Sequence, residues 1–220
     1  MAKAGEEVFS SGRVMAKRSG RNSRTSSIGF SMVEVLIVLG ILVVLATGAV
    51  VIVQPSLRRA RSDAGVAYVI NQIRNARQHA IAERRVYELD FVVPRTMNLQ
   101  QGNNVNGNLT FTAAGSLDLP VIMQFQLPAA KPATPPDSFG AQSSAVDFSV
   151  TGGGGGGTSL YFQPDGTVMD AQNGLTNGVV YVSQTGDADT SRAVSLFGAT
   201  GRAKPWRINE TANGPQWVQE

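Results

Sequence analysis

An apolar run of 24 residues, Phe30 to Val53, constrains this chain more than any other feature, and Glu34 is its only charged residue. A helix of that length measures about 36 Å at roughly 1.5 Å per residue, so it can cross a bilayer core of about 30 Å. The run is too long for the core of a cleaved secretory signal peptide, and it continues directly into a helical pattern. We therefore predict one transmembrane helix.

The charges predict the orientation of this helix. Residues 1–29 carry six basic and two acidic groups, a net charge of +4. Because basic flanks stay in the cytoplasm, we expect this segment inside and the rest of the chain translocated. Residues 30–85 also have a net charge of +4, from seven basic and three acidic groups. Residues 86–220 have a net charge of −5, from six basic and eleven acidic groups. The C-terminal body would on average repel a polyanion.

The residue inventory excludes several kinds of chemistry. The chain has no cysteine, so it forms neither a disulfide nor a thiolate metal site. His79 is the only histidine, which rules out a catalytic histidine pair or a His-based zinc site, and we interpret it as a solvated residue. No Gly-Xaa-Ser-Xaa-Gly motif is present, and the acids are scattered through turns. We therefore expect a protein that is not an enzyme and that binds no cofactor or metal.

The start of the apolar run carries a recognisable motif. The stretch Gly29-Phe30-Ser31-Met32-Val33-Glu34, after a basic leader and before the apolar run, resembles the class III signal of type IV pilins and type II secretion pseudopilins. The resemblance implies that a prepilin peptidase cuts between Gly29 and Phe30 and methylates the new amine of Phe30. Residues 1–29 would then be a discarded leader, and Glu34 would become the fifth residue of the mature chain.

Glu34 then has a physical interpretation. Cleavage creates a cation at Phe30, one helical turn from the acid, and the amine of a neighbouring subunit is an alternative partner. Pairing offsets part of the desolvation cost that each charge has alone in lipid. We therefore predict that Glu34 sets the register of assembly.

Residues 55–85 are predicted to form an amphipathic stem helix. Pro55 is expected to bend or open the helix locally. The helix should end near Arg85, where the pattern changes to period two. For Arg77, on the edge of the apolar stripe, two roles stay open: a snorkelling side chain, or an ion pair with a carboxylate of the head. The residues of the predicted stripe follow helical spacing: Val66, Val69, Ile70, Ile73, Ala76 and Ala80.

Residues 86–220 have the pattern of a β-rich head. Strands are predicted at 86–93, from Leu109, from Val121 and at 145–150, with an exposed loop at 128–144. Two hairpins follow, one turning at Asp165-Gly166 and one pairing 179–183 with 192–197. The glycine run 152–157 lacks the lysine of a phosphate-binding loop and is interpreted as a connector. Asp187 and Asp189 are too few for a calcium site, and solvated turn residues are the preferred interpretation.

The order of these elements resembles the GspH/FimT family of minor pseudopilins and minor pilins, with Gly201-Arg202 matching the basic turn of its final strand. The resemblance implies an α+β pilin-like fold, in which a long N-terminal helix packs on an antiparallel sheet. It also implies four regions: a cytoplasmic leader (1–29), a transmembrane and filament-core helix (30–54), a stem (55–85) and a periplasmic head (86–220).

The leading functional prediction is a minor pilin or pseudopilin subunit, held in the inner membrane and then assembled into a filament. Its expected partners are the prepilin peptidase, the inner-membrane assembly platform and other pilins. The alternative is a minor pilin that binds DNA through Arg202, Lys204 and Arg207 beside Trp206, as a Gly-Arg-Xaa-Arg element does in some relatives. Lysine at 204 weakens the match, and a turn with solvated charges is the structural alternative.

Overall fold

The structure, a computed structural model, describes residues 29–105, 107–128, 132–148, 157–184, 190–212 and 214–220, without the side chains of residues 49–52. The chain forms two compact units, Met1–Thr47 and Gly48–Glu220. Helix α1 (Met32–Glu83) runs through the boundary between them. The predicted leader up to residue 28, most of the glycine run (152–156), and Asp187 and Asp189 lie outside the described residues.

Helix α1 ends close to the predicted residue. Arg84 adopts a φ of 53°, in the left-handed region, and the amide of Arg85 donates to the carbonyl of Ala80 at 3.2 Å. This i to i−5 bond is the usual way in which a helix satisfies its last carbonyls, and strand-forming residues follow immediately. Helix α1 continues through Pro55, so the helix does not end there. The bend or local opening expected at this proline stays a prediction.

The predicted apolar stripe of α1 is confirmed as part of the core of the second unit. Ile73 is fully buried, and the stripe shares one hydrophobic cluster with both sheets. The helical spacing of these residues places them on one face, and burying that face stabilises the stem far more than helix propensity does. The buried stripe residues are Val66, Val69, Ile70, Ile73, Ala76 and Ala80.

Two antiparallel sheets complete the second unit, which confirms the predicted α+β class. The first has the order β3-β2-β1-β6-β7, and the second has the order β11-β10-β9-β8-β4, with β5 also paired to β8. In chain order the strands are β1 (Tyr87–Val92), β2 (Thr96–Val105), β3 (Asn108–Asp118), β4 (Met123–Phe125), β5 (Val146–Asp147), β6 (Ser159–Phe162), β7 (Val168–Met169), β8 (Gly178–Gln184), β9 (Arg192–Phe197), β10 (Arg202–Thr211) and β11 (Gly214–Gln219).

Both predicted hairpins are present, whereas strand β2 was not predicted from the sequence. In the first hairpin, β6 pairs with β7 and Gly166 turns with a φ of 85°; in the second, β8 pairs with β9. Strand β2 is rich in Asn, Gln and Gly, which have low strand propensity. Its buried side chains, Met97 and Leu99, do alternate, but the register shifts between Leu99 and Gln100 and interrupts the pattern.

The loop predicted to be exposed at 128–144 instead covers part of the second sheet. A short 3-10 helix, Pro136–Ser138, begins with the buried Pro136. Phe139 packs edge-on against Phe197 of β9, with ring centroids 4.8 Å apart. The covered face also carries a small cluster in which Tyr181 packs with Trp217. This sheet is therefore packed on both faces, with α1 on one and the loop on the other.

Candidate functional site

The residues of the predicted cleavage motif lie at the exposed start of α1. Phe30 is 79% exposed, Gly29 precedes it, and neither is in the helix. The amide of Val35 donates to the carbonyl of Ser31 at 3.1 Å, which opens the helical hydrogen bonding. Glu34 lies in the first turn, where the N-terminal end of the helix dipole favours a negative charge. Both residues that flank the predicted cleavage bond are therefore exposed and lie before the described helix.

The first part of α1, apart from Glu34, presents mainly apolar side chains to its surroundings. It contains an 18-residue stretch of mean hydropathy 3.1, none of which is buried within the chain, so it is long and apolar enough to cross a membrane. Exposed residues such as Leu36, Ile37 and Leu45 are between half and two thirds accessible. Burying such surface is worth roughly 25 cal/mol per Å². Such a stretch is suited to lipid or to burial against other proteins.

The structure separates the three cations predicted to contact DNA. All three lie on β10, and successive side chains of a strand point to opposite faces. Arg202 and Lys204 share the face of Phe197 and Ser195, their partners on β9, whereas Arg207 shares the opposite face with Arg192. The segment that carries the three cations is thus a paired strand. Two of the cations lie on one face of β10 and the third lies on the other.

Lys204 is engaged in a network beneath the loop. Its Nζ lies 3.0 Å from Oδ1 of Asp137, and the side chains are only 20% and 15% exposed. Ser195 Oγ donates to the other carboxylate oxygen of Asp137 at 2.6 Å, and Trp206 Nε1 donates to Ser195 Oγ at 2.8 Å. The ammonium also lies 4.7 Å from the ring centroid of Phe197. Lys204 therefore neutralises a carboxylate of its own chain and holds the loop in place.

Among the described residues, Arg77 forms no ion pair with a carboxylate of the head, which was one of the two roles left open, and it contacts a backbone carbonyl of the head instead. Its Nε donates to the backbone carbonyl of Gly166, in the β6–β7 turn, at 3.1 Å. A Cβ on Gly201 would lie 2.6 Å from both Cδ and Nε of Arg77, so the side chain passes where only glycine leaves room. The long stem helix is thereby tied to two turns of the head.

A cavity of about 470 Å³ lies beside Arg77, between α1 and the turn that precedes β10. Arg74 and Arg77 line it from the helix, and Arg202 lines it from the strand. None of the described residues lining it is acidic. Arg74 was not predicted as a site residue. Its spacing of three residues from Arg77 places both on one helix face, and this spacing was the signal in the sequence.

A second ion-pair cluster ties β9 and the C-terminus to the stem. Arg192, only 5% exposed, has Nη2 2.9 Å from Oδ1 of Asp63, and its Nε lies 3.3 Å from Oε1 of Glu220. A buried guanidinium must be paired to offset its desolvation. The sequence did not predict this cluster, because its members lie far apart along the chain.

The end of α1 is fixed by Glu83, which accepts hydrogen bonds from Tyr87 and Gln101, each at 2.7 Å. The bond from Tyr87, and next that from His79, lower the pKa of Glu83. His79 was interpreted as a solvated residue, and its side chain is 44% exposed, yet Nδ1 lies 3.0 Å from Glu83 and the ring packs on Tyr87. Among the described residues, no group of three or more acidic or histidine side chains is arranged to hold a metal ion.

Comparisons with known proteins gave similarities in structure alone. No family profile and no curated protein sequence matches this chain. Similar solved structures include the minor pseudopilin EpsH from the type 2 secretion system of Vibrio cholerae, with 11% identity over 72% of this chain and 97% of that chain and a TM-score of 0.37. They also include the type IV minor pilin FimU of Pseudomonas aeruginosa strain PAO1, with 14% identity over 69% and 90% of the chains and a TM-score of 0.39.

Proposed function

We propose that this chain is a structural subunit, a minor pilin or pseudopilin, of a type IV pilus or a type II secretion pseudopilus. One observation carries the proposal: α1 uses its C-terminal part as the core of a β-rich head and leaves an apolar stretch of membrane-spanning length unburied. Before assembly, such a chain is a single-pass protein of the inner membrane with its head in the periplasm. It then buries the same stretch against other copies or other pilins in a filament.

Processing by a prepilin peptidase would prepare the chain for assembly. The motif around Gly29 and Phe30 supports cleavage there, since both residues are exposed and precede the helix. Cleavage places an amine, methylated in this proposal, four residues before Glu34. The charge pair then enters an apolar filament core at a lower cost than either charge alone. The inner-membrane assembly platform would extract the processed chain and add it to the filament.

The experiment that tests this function is expression of the full chain with a prepilin peptidase, followed by mass spectrometry of the membrane fraction. We expect a chain that begins with methylated Phe30. The Gly29→Val variant, which adds bulk next to the cut bond, should keep residues 1–29, and Gly40→Val should be cut normally. Recovery of an uncut wild-type chain would overturn the processing step, and absence from sheared filaments would overturn the structural role.

The alternative, DNA binding through Arg202, Lys204 and Arg207, stays a prediction. Of the three, Lys204 is held by Asp137, and Arg207 lies on the opposite face of β10 from Arg202. The stacking partner named with them, Trp206, donates its indole N–H to Ser195 within the covered face. These contacts favour a role for Lys204 and Trp206 in stabilising the head, and they leave Arg202 as the member best placed to meet a ligand.

A further inference from the structure

We propose that the open edge of strand β3 pairs antiparallel with the same edge of a second copy of this chain and so joins the first sheets of two heads. The inference goes beyond the filament role and does not depend on it. Strand β3 is the outermost strand of the first sheet, and among the described residues no other strand pairs with its outer side. The unpaired N–H and C=O groups of such an edge are a template for another strand.

Strand β3 lacks the features that usually protect the edge of a sheet. The edge strands β4, β5 and β7 have only two or three residues each, and β11 carries Pro215. In contrast, β3 has eleven residues, of which nine are exposed, and residues 108–117 include neither a charge nor a proline. Short strands, prolines and edge charges are the common protection against strand addition. The long edge of β3 is therefore suited to pairing.

One hydrogen bond shows which backbone groups face the open edge. The amide of Gly102 donates to the carbonyl of Val86 at 2.8 Å, so the backbone groups of Gly102 point toward β1. Gly102 lies opposite Phe111 of β3, and this pair is therefore one of the pairs in the antiparallel ladder that exchange no hydrogen bonds. Phe111 directs its N–H and C=O outward, and so do Leu109 and Ala113, each two residues away. The register of β3 shifts after Ala113, where this regular stretch ends.

The side chains of the same stretch divide between the two faces of the sheet. A Cβ on Gly102 would lie 3.2 Å from Leu109 and 3.3 Å from Phe111, so these two side chains cover one face. Because successive residues of a strand point to opposite faces, Thr110 and Thr112 lie on the other face.

A second copy of the chain fits this edge. When two copies of residues 108–113 pair about a two-fold axis through Phe111, each residue lies opposite one from the same face. Aromatic pairs and threonine pairs stabilise a sheet, and the stretch is uncharged, so it brings two heads of net charge −5 together with little local repulsion. The pairing closes at a dimer, because it uses the long edge of both copies. The opposing pairs are Phe111 with Phe111, Leu109 with Ala113, and Thr110 with Thr112.

The test uses the full chain in uncharged detergent micelles, with single cysteines added to a protein that has none of its own. Thr110→Cys and Thr112→Cys are purified separately, mixed and oxidised with copper phenanthroline. In the proposed register these positions have Cα atoms about 4.5 Å apart, within reach of a disulfide. Either variant alone places its cysteines about 7–8 Å apart, beyond that reach. We expect at least about fivefold more linked dimer in the mixture than in either variant alone.

Matched controls separate the pairing of β3 from other contacts. Arg207→Cys mixed with Asn209→Cys has two exposed cysteines at the same spacing on β10, which lies between β9 and β11, and should show no such excess. Adding Phe111→Lys to both β3 cysteine variants brings two ammonium groups together on the two-fold axis and should abolish the excess, whereas Phe111→Leu should keep it.

Four results would overturn the inference. The first is no linked dimer in the mixture of Thr110→Cys and Thr112→Cys. The second is an equal yield in the mixture and in each variant alone, or an equal excess in the β10 control. The third is an excess that persists with Phe111→Lys. The fourth is sedimentation of the wild-type chain as species larger than a dimer, since the pairing would then not close. None of these results bears on membrane anchoring or on entry into filaments, so the proposed function is tested separately.

Discussion

The side chain of Arg77 donates a hydrogen bond from Nε to the carbonyl oxygen of Gly166, 89 residues further along the chain, at 3.1 Å. Gly166 and Gly201, the two glycines against this side chain, have φ values of 85° and 61°. Each turn requires glycine for two reasons: its backbone is left-handed, and the arginine side chain occupies the space that a Cβ would need. One contact therefore links the stem helix to both hairpin turns next to the cavity.

Removing this donor should destabilise the head. Arg77→Met keeps the aliphatic stem but leaves the Gly166 carbonyl without its donor, so we expect a loss of about 1–2 kcal/mol in the free energy of unfolding. The measurement is thermal unfolding of the full chain in detergent. Arg74→Met, on the same helix face, should leave the midpoint unchanged; equal shifts in both variants would contradict the structural role of Arg77.

Gly201→Ala should be more damaging than an ordinary glycine substitution. The new Cβ would lie 2.6 Å from the Arg77 side chain, at a backbone φ of 61° that disfavours alanine. We expect a loss of at least about 2 kcal/mol, measured by denaturant unfolding. Gly115→Ala is the matched control, because its Cβ would meet nothing within 4 Å. If both variants unfold at the same denaturant concentration, the predicted crowding is absent.

Asp137 should hold the loop onto the second sheet. Asp137→Ala removes the partner of Lys204 and the acceptor for Ser195, and it leaves the ammonium in a mostly buried site. We expect faster cleavage by proteinase K within residues 132–144, followed by mass spectrometry. Lys204→Met should have the same effect, whereas Glu210→Ala, an exposed acid on the same strand as Lys204, should not. A cleavage rate unchanged in Asp137→Ala would refute the anchoring role.

Two tyrosines, the buried Tyr87 and the half-buried Tyr161, predict a loss of stability at alkaline pH. Burial first, and then the hydrogen bonds to Glu88 and Glu83, raise the pKa of Tyr161 and Tyr87 to about 12. An unfolded tyrosine loses its proton near pH 10, so the contribution of each of these two phenols is complete below that pH and declines between about pH 10 and 12. Unfolding midpoints followed by circular dichroism should fall across this range.

The matched variants for this prediction each replace one phenol with a phenyl ring. Tyr161→Phe should flatten the decline above pH 10, although it is less stable at neutral pH because Glu88 loses its donor. Tyr68→Phe, whose ring is exposed on α1, should keep the wild-type decline. A decline of the same size in Tyr161→Phe would show that other groups cause it.

Glu34 should matter for assembly and not for processing. Glu34→Ala removes the partner of the amine created at Phe30, so this amine would enter the filament core unpaired, at a cost of several kcal/mol. We expect normal cleavage by the peptidase but loss of the subunit from sheared filaments, with both followed by immunoblotting. Glu34→Asp should retain part of the incorporation, and Glu34→Gln should not. If the Glu34→Ala variant enters filaments at the wild-type level, Glu34 does not set the register of assembly.

Local sequence signals predicted a large part of the fold. The apolar stripe from Val66 to Ala80 and the period-two pattern of β1 placed the end of α1 within a few residues, because each depends only on short-range periodicity. Asp165-Gly166 placed a hairpin because a left-handed turn requires glycine. Strand β2 was missed, since its Asn- and Gln-rich sequence gains stability from pairing with β1 and β3 on both edges rather than from propensity.

The sequence by itself determined that an apolar helix with one acid leads into a β-rich head, because length, hydropathy and periodicity are properties of neighbouring residues. Only the tertiary structure decided what the basic residues do. Arg202, Lys204 and Arg207 are close in sequence, yet strand alternation and the pairing with Asp137 separate them, while packing of α1 on the head brings Arg77 to Gly166 and Gly201. Contacts across such separations depend on how the elements pack, and a linear pattern of charges does not specify that packing.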